Sequence, residues 1–399
     1  VNNILFVETG IVGGGSFESL YQTVRSLDRD RFTPVVAFLN RTHYLERMRE
    51  LGVTTYLLTD LAYTKSLPKV IHGNVEKRAD KALSAHPKWG MALFRMYHGP
   101  VIRGLKRIVA KHGIDLLYLN DQINRDLFGC LVARDCGIPL ISHLRSMDGG
   151  SFTTEKAELA NQTVDAYISN STPTKKYWES RGISKGNSHL VYNAVSHAIS
   201  ATVDVHKEFS IPDTTHVIGS VARLIELKNL PMLVDAFAKM AGEHQDCVLL
   251  FLGDGPQMHP LQKQAEAAGL SDRIIFAGHR PDARELMGTM DMVVLPSRND
   301  SFGRVLIEAM QARTPVIGAD SGGIVDIIEH GQNGFLLPHD APEKWAEAMH
   351  ALLTDEALRQ RFIDNGLKTV SEKFDLAKQT ERIQAIIGSV LQNASKPQE

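Results

Sequence analysis

One stretch constrains this chain more than any other: Asp291-Met-Val-Val-Leu-Pro-Ser-Arg-Asn-Asp-Ser-Phe-Gly-Arg-Val-Leu-Ile-Glu-Ala-Met310. Met292-Val-Val-Leu295 is an apolar run of the length a buried parallel strand needs. Pro296 ends it, a polar turn runs from Ser297 to Ser301, and Val305, Leu306, Ala309 and Met310 then recur at helical spacing. Asp300 and Ser301 are residue types that cap helix N-termini, and Gly303 allows a ligand close to the backbone. A strand feeding a helix through such a turn leaves N–H groups free at a positive helix end, which suits an anion such as phosphate. Glu308 lies inside the helix, eight positions after Asp300. It reads as a half-solvated helix carboxylate or, with Asp300, as one of two carboxylates converging on a polyol.

The same strand–helix alternation runs along the whole chain. Asn3-Ile-Leu-Phe-Val7 is the first expected strand and Phe17 to Leu27 the helix after it. Further strands are expected at Pro34–Leu39, Asp115–Asn120, Pro139–His143 and Asp165–Asn170, with a helix near Asp126–Asp135. A mixed polar stretch around Val195–Pro212 interrupts the pattern. It restarts at His216–Leu224 and continues through Cys247–Gly253, Ile274–Gly278 and Pro315–Gly318, with a helix at Pro231–Met240. The tail reads as Pro342–Lys368 followed by one helical segment, Glu372–Leu391. Strands separated by helices predict parallel sheets covered on both faces, with ligands at the carboxyl ends of the strands. The fold class is therefore α/β, with two Rossmann-like domains facing each other across a cleft. The expected boundaries are 1–200, 201–375 and a terminal helix at 376–399.

Composition narrows the partners. A chain of 399 residues is long enough for two cores, and a net charge of −2 gives no general argument for nucleic acid. Residues 1–10 read as a strand rather than a signal peptide, and no apolar run reaches the length of a membrane span. Cys130, Cys136 and Cys247 lack C-x-x-C spacing, which favours a reducing cytoplasm over disulfides or a zinc site. Tyr63 to His112 stands apart, with eleven Lys or Arg against Glu76 and Asp80 and with Trp89, Leu93, Phe94, Met96 and Tyr97 interleaved. This basic segment 63–112 reads either as a solvated face or as a surface for anionic lipid or a phosphorylated acceptor. No nucleic-acid motif accompanies it.

Several residues sit where chemistry is expected. Gly10-Ile-Val-Gly13-Gly14-Gly15-Ser16 joins the first strand to its helix, where backbone N–H groups can meet a phosphate or a hydroxyl. It fits a dinucleotide fingerprint poorly, since Glu18 stands where the third Gly belongs and Pro34–Leu39 ends at Asn40 without an acidic residue. His143 lies at a strand end beside Arg145, in a place open to a structural or a ligand-facing role. Arg223 follows a strand, and Lys228 comes five residues later. As ordinary surface charges they would mean nothing, but at a strand's carboxyl end two cations can clamp a diphosphate.

Taken together, these elements resemble the retaining glycosyltransferases of family 4, which have the GT-B fold. Asp300 and Glu308 match that family's E-x7-E signature as D-x7-E, Arg223 and Lys228-Asn229 its R…K(G/N) element, and Asn193-Ala-Val195 its NGV element. Gly253-Asp-Gly-Pro256, Phe276-Ala-Gly-His279-Arg280 and Ser321-Gly-Gly323 are similar to its remaining turns, and the order holds from the Gly-rich loop to Pro338. The resemblance implies transfer of a sugar from a nucleotide-diphosphate sugar, UDP- or GDP-linked, to a glycan or lipid-linked acceptor, as in bacterial surface polysaccharide or glycolipid synthesis. It assigns Arg223 and Lys228 to the diphosphate, Glu308 to the nucleotide ribose, Asp300 to sugar hydroxyls and His143 to the active site. Gly14, Gly15, Gly253, Arg280, Ser301, Phe302, Gly303 and Arg304 would border the donor. The leaving phosphate would take the acceptor proton, with front-face attack, no metal and no further cofactor. The protein would be cytoplasmic, peripheral at the inner face of the cell membrane. An epimerase of the same fold, or a non-catalytic nucleotide-sugar-binding protein, would share these features.

Overall fold

Runs such as Leu116–Leu119 and Met292–Leu295 are apolar throughout because strands of a parallel sheet are buried on both faces. In chain order the strands are β1 (Asn2–Glu8), β2 (Phe32–Phe38), β3 (Thr54–Leu57), β4 (Leu116–Leu119), β5 (Leu140–Leu144), β6 (Ala166–Ser169) and β7 (Ser188–Leu190). Then come β8 (His216–Val221), β9 (Cys247–Leu252), β10 (Ile274–Phe276), β11 (Met292–Leu295), β12 (Val316–Ala319) and β13 (Phe335–Leu337). The computed structural model describes residues 1–10, 14–61, 87–148, 150, 152–196 and 203–395. Gly13, and residues 62–86 of the basic segment, lie outside the described residues.

The chain divides into two compact units, Val1–Val191 with Ala377–Glu399, and Tyr192–Leu376. The first holds a seven-stranded sheet in the order β3-β2-β1-β4-β5-β6-β7, the second a six-stranded sheet in the order β10-β9-β8-β11-β12-β13. Every pairing is parallel. In each sheet the order reverses once, at β1/β4 and at β8/β11. Loops leave such a point in opposite directions, so the carboxyl ends there open a crevice in which ligands of α/β sheets bind.

Alternation of side chains gives the first sheet two cores. Leu5, Val7, Leu117 and Leu119 face one, and Ile4, Phe6, Leu116 and Tyr118 face the other. The helix Leu376–Ala394 packs Ile383, Ile387 and Val390 into the second of these, and Gln384 accepts a hydrogen bond from the Asp28 N–H at 2.7 Å. The tail differs from its sequence reading: the helix Glu356–Lys373 stops at Phe374, and a new helix begins at Leu376. Tertiary pairing causes the break. The Phe374 carbonyl accepts from the Val195 N–H at 3.0 Å, while its buried ring packs on Tyr192 and Phe302.

Candidate functional site

The reversal at β8/β11 brings together two of the charged residues singled out in the sequence. The chain leaves β8 at Val221, passes the exposed Arg223, and forms a short 3-10 turn at Glu226–Lys228. Lys228 Nζ there donates to Asp300 Oδ2 in the loop after β11, both side chains being largely buried. Burial by itself would raise the Asp300 carboxyl. The Lys228 charge and hydrogen bond, with the Phe302 N–H, outweigh it and hold the group below its ordinary value. The two loops are also tied through backbone, Arg298 N–H donating to the Leu227 carbonyl at 3.0 Å. Arg223 is exposed and forms no ion pair with any described residue.

The helix after Asp300 is not capped by the residues the sequence offered. It spans Arg304–Gln311, and its N-cap is Gly303 (φ 88°), a left-handed conformation that a side chain resists. Neither Asp300 nor Ser301 caps it; Asp300 is engaged by Lys228 instead. The helix Leu230–Ala241 starts at Asn229 (φ 53°), and the helix Gly15–Ser26 starts at Gly14, likewise without a side-chain cap. N–H groups at these helix starts are thus not claimed by a capping side chain. Glu308, one turn into its helix, accepts from Arg304 Nε at 2.7 Å, both being mostly buried. Asp300 and Glu308 therefore each hold their own cation. Phe302 is buried against Tyr192 and Phe374 and braces the loop from below.

Neighbouring loops fit closely against this one. Gly323 N–H donates to the Asp300 carbonyl at 2.7 Å, and a Cβ on Gly322 would lie 2.1 Å from that same oxygen. Gly253, after β9, would place a Cβ 1.9 Å from the Ala222 carbonyl, so the β8 and β9 loops touch through backbone. Arg280, after β10, is held by Asp282 at 2.8 and 2.6 Å and by Glu208 at 2.6 Å. Those bonds raise its guanidinium pKa further and leave it fixed in place.

The first unit has a polar cluster at its own reversal. Glu8 ends β1, Asn120 follows β4, His143 lies near the end of β5 and Arg145 just after it. Asn120 Nδ2 donates to Glu8 Oε2 at 2.6 Å and to the Ser16 carbonyl at 3.2 Å, tying the sheet to the helix that Gly14 and Gly15 begin. Arg145 Nε donates to Asn120 Oδ1 at 2.9 Å. His143 is fully buried, with Nδ1 at 2.7 Å from Tyr118 Oη. Burial, then the Arg145 charge, push its pKa well below the ordinary value, so the ring is neutral. Burial and the Asp121 charge raise Glu8 to about 8, and the same two causes raise Asp126 to about 8.

Sequence reasoning did not single out Glu8, Asn120, Asp121, Asp126 or Arg298. A Glu that ends an apolar strand run just before a Gly-rich loop was the available signal for Glu8. Asp126 was marked only as the start of an expected helix, and the fold buries it beside Thr9, which donates to its Oδ1 at 2.5 Å. In the helix Pro87–His112 the structure removes two cations from the basic face, because Arg95 and Lys106 both pair with Asp135, at 3.1 and 3.2 Å. Arg103, Arg107 and Lys111 remain exposed there, with Met96 72% exposed. No helix among the described residues is long and apolar enough to cross a membrane.

N-acetyl-alpha-D-glucosaminyl L-malate synthase of Bacillus anthracis is 30% identical over 206 residues, 51% of this chain and 54% of that protein. The lipopolysaccharide core biosynthesis mannosyltransferase LpcC of Rhizobium leguminosarum bv. viciae is 29% identical over 208 residues, 51% of this chain and 59% of that protein. The chain thus spans about half the length of the curated relatives it matches. Among solved structures, Anabaena Alr3699/HepE in complex with UDP-glucose superposes with a TM-score of 0.79 at 22% identity, covering 97% of this chain and 99% of that one. That likeness shows the fold, GT-B. Residues 203–369, which carry the Asp300–Lys228 pair and the Arg304–Gln311 helix, match the family described as glycosyl transferases group 1.

Proposed function

We propose that the protein is a retaining, metal-independent glycosyltransferase that uses a nucleotide-diphosphate sugar. The observation that carries this reading is the Lys228–Asp300 pair at the β8/β11 reversal, with the exposed Arg223 in the same loop after β8 and an uncapped helix start at Gly303. Lys228 and Arg223 neutralise the diphosphate as the sugar–phosphate bond breaks, and N–H groups at the Gly303 helix start take phosphate oxygens. Asp300 holds sugar hydroxyls while Lys228 keeps it charged. Glu308, fixed by Arg304, takes the ribose diol. The leaving phosphate accepts the proton of the acceptor hydroxyl, so retention follows from attack on the same face. Gly253 and Arg280 line the base end. The bound UDP-glucose of the Anabaena protein supports a UDP-sugar donor, with a GDP-sugar as the other candidate.

The acceptor is a glycan or a lipid-linked sugar, a reading supported by the lipopolysaccharide-core relative. The exposed Arg103, Arg107 and Lys111 with Met96 form a face suited to anionic lipid, which would hold the protein at the inner surface of the cell membrane. The experiment is a thermal-shift panel of UDP, GDP and ADP with their sugar conjugates, with and without EDTA. One nucleotide series should raise Tm, equally in both conditions. A panel with no shift at millimolar nucleotide would overturn the reading, and a shift abolished by EDTA would overturn its metal-independent part.

A further inference from the structure

His143 has a proton inventory that its neighbours decide. Its Nδ1 lies 2.7 Å from Tyr118 Oη and 3.2 Å from Arg145 Nη2. An arginine has only donors, so the lone pair must be on Nδ1, and Tyr118 donates to it as well. The neutral ring then carries its hydrogen on Nε2. That atom is buried and has no hydrogen-bond partner among the described residues, an unusual condition for a polar group this deep. Arg145 is itself immobilised on several sides. Its Nε reaches Asn120, its N–H donates to the Asp121 carbonyl at 2.8 Å, and its carbonyl accepts from Asn170 Nδ2 at 3.3 Å. Asn120 is in turn anchored on Glu8. A rigid chain, Glu8–Asn120–Arg145–His143, therefore crosses the carboxyl ends of β1, β4 and β5.

We propose that Arg145 is a positioning residue that locks His143 in the Nε2–H tautomer, making it an obligate hydrogen-bond donor to a ligand oxygen. In this state His143 reads a lone pair and takes no proton. That the oxygen is a hydroxyl of the donor sugar rests on the function proposed above; the tautomer does not. The other charged or titratable groups facing this chain among the described residues are Tyr118 from β4, Asp121 and Asp126. None of them can replace an arginine that donates to Nδ1, because Tyr118 alone could equally accept from an Nδ1–H.

The test is nitrogen-15 histidine NMR, with the His143 resonances identified by their loss in His143→Gln. The wild type should show an unprotonated Nδ1 and a protonated Nε2, unchanged from pH 6 to pH 8. Arg145→Met should admit the Nδ1–H form, and Arg145→Lys, which restores a cationic donor, should return the ring to Nε2–H. Tyr118→Phe should keep Nε2–H, and it carries the test if Arg145→Met does not fold. A wild-type ring that is Nδ1-protonated or charged overturns the proposal, as does Arg145→Met or Tyr118→Phe behaving opposite to expectation. Saturation with UDP-glucose should shift the Nε2–H proton. If Tm shows that UDP-glucose binds and the proton stays put, the ligand half of the proposal falls and the transferase reading stands. If no nucleotide sugar binds, the transferase reading falls, while the tautomer data still judge Arg145.

Discussion

Lys228 and Asp300, 72 positions apart in sequence, form a largely buried ion pair that joins the loop after β8 to the loop after β11. The pair does two things. It holds Asp300 ionised in a site whose burial would otherwise protonate it, and it sets a cation at the sheet reversal where ligands of α/β sheets bind. Replacing Lys228 by Ala should lower kcat by roughly a hundredfold to a thousandfold, the usual loss for a group stabilising developing charge. Tm should move by only a few degrees, since the loops stay joined through Arg298 and Leu227. Steady-state kinetics beside a melting curve separate the two effects.

The glycine contacts around Asp300 give a graded prediction. Gly322→Ala puts a methyl 2.1 Å from the Asp300 carbonyl at a positive φ, so it must displace the loop. It should cost donor binding and more than about 1 kcal/mol of stability. Gly331 also has a positive φ (74°) but meets nothing within 4 Å. Gly331→Ala should therefore show only the backbone strain and leave donor binding intact. Denaturant melts and nucleotide titrations of both variants make the comparison.

Much of the frame was legible, and the exceptions have physical causes. Apolar runs at Met292–Leu295 and Cys247–Leu252 announce buried parallel strands because nothing but burial on both faces demands such runs. β2 begins at Phe32, ahead of the Pro34 that looked like its start; β3 pairs with it only from Val35, so Pro34 sits where the sheet is not yet flanked on that side. The break at Phe374 was invisible because it is made by Val195, far away in sequence. At the site, Lys228 announced itself by its place after a strand, and Asp300 by its eight-residue spacing from Glu308. The Glu8–Asn120–Arg145 chain did not, since a buried polar network is specified by which strands lie adjacent, and strand order is not written in local pattern.

Asp126 makes stability depend on pH in a defined direction. Its folded carboxyl titrates near 8, raised from 3.8 by burial and by Asp121. Between those values the folded chain keeps a proton that the unfolded chain has released, so each rise in pH removes stability. Below the lower value the contribution is fully present; above the upper one no further loss accrues. Asp126→Asn keeps an oxygen for the Asp121 and Gln122 N–H groups and cannot ionise. It should flatten the decline of Tm between pH 5 and pH 8 and raise Tm at pH 8. A parallel decline in both proteins would show that Asp126 is not the group responsible.

Glu308 should be read through the ribose. With the diol on Glu308, wild-type protein should favour UDP over 2′-deoxy-UDP by about tenfold, the worth of one charge-assisted hydrogen bond. Glu308→Gln should shrink that preference while leaving the fold intact, because Arg304 can still donate to the amide oxygen. Competition binding with the two nucleotides decides it. An unchanged preference would remove Glu308 from the ribose.

Calorimetric titration of UMP and UDP into wild-type and Lys228→Ala protein, in EDTA, asks whether Lys228 holds a diphosphate. The account predicts that UDP binds the wild type more tightly than UMP and that Lys228→Ala erases most of this difference, weakening UDP while barely changing UMP. If Lys228→Ala binds UDP as tightly as the wild type does, the β8/β11 pair does not hold a diphosphate, and the proposed donor site is contradicted.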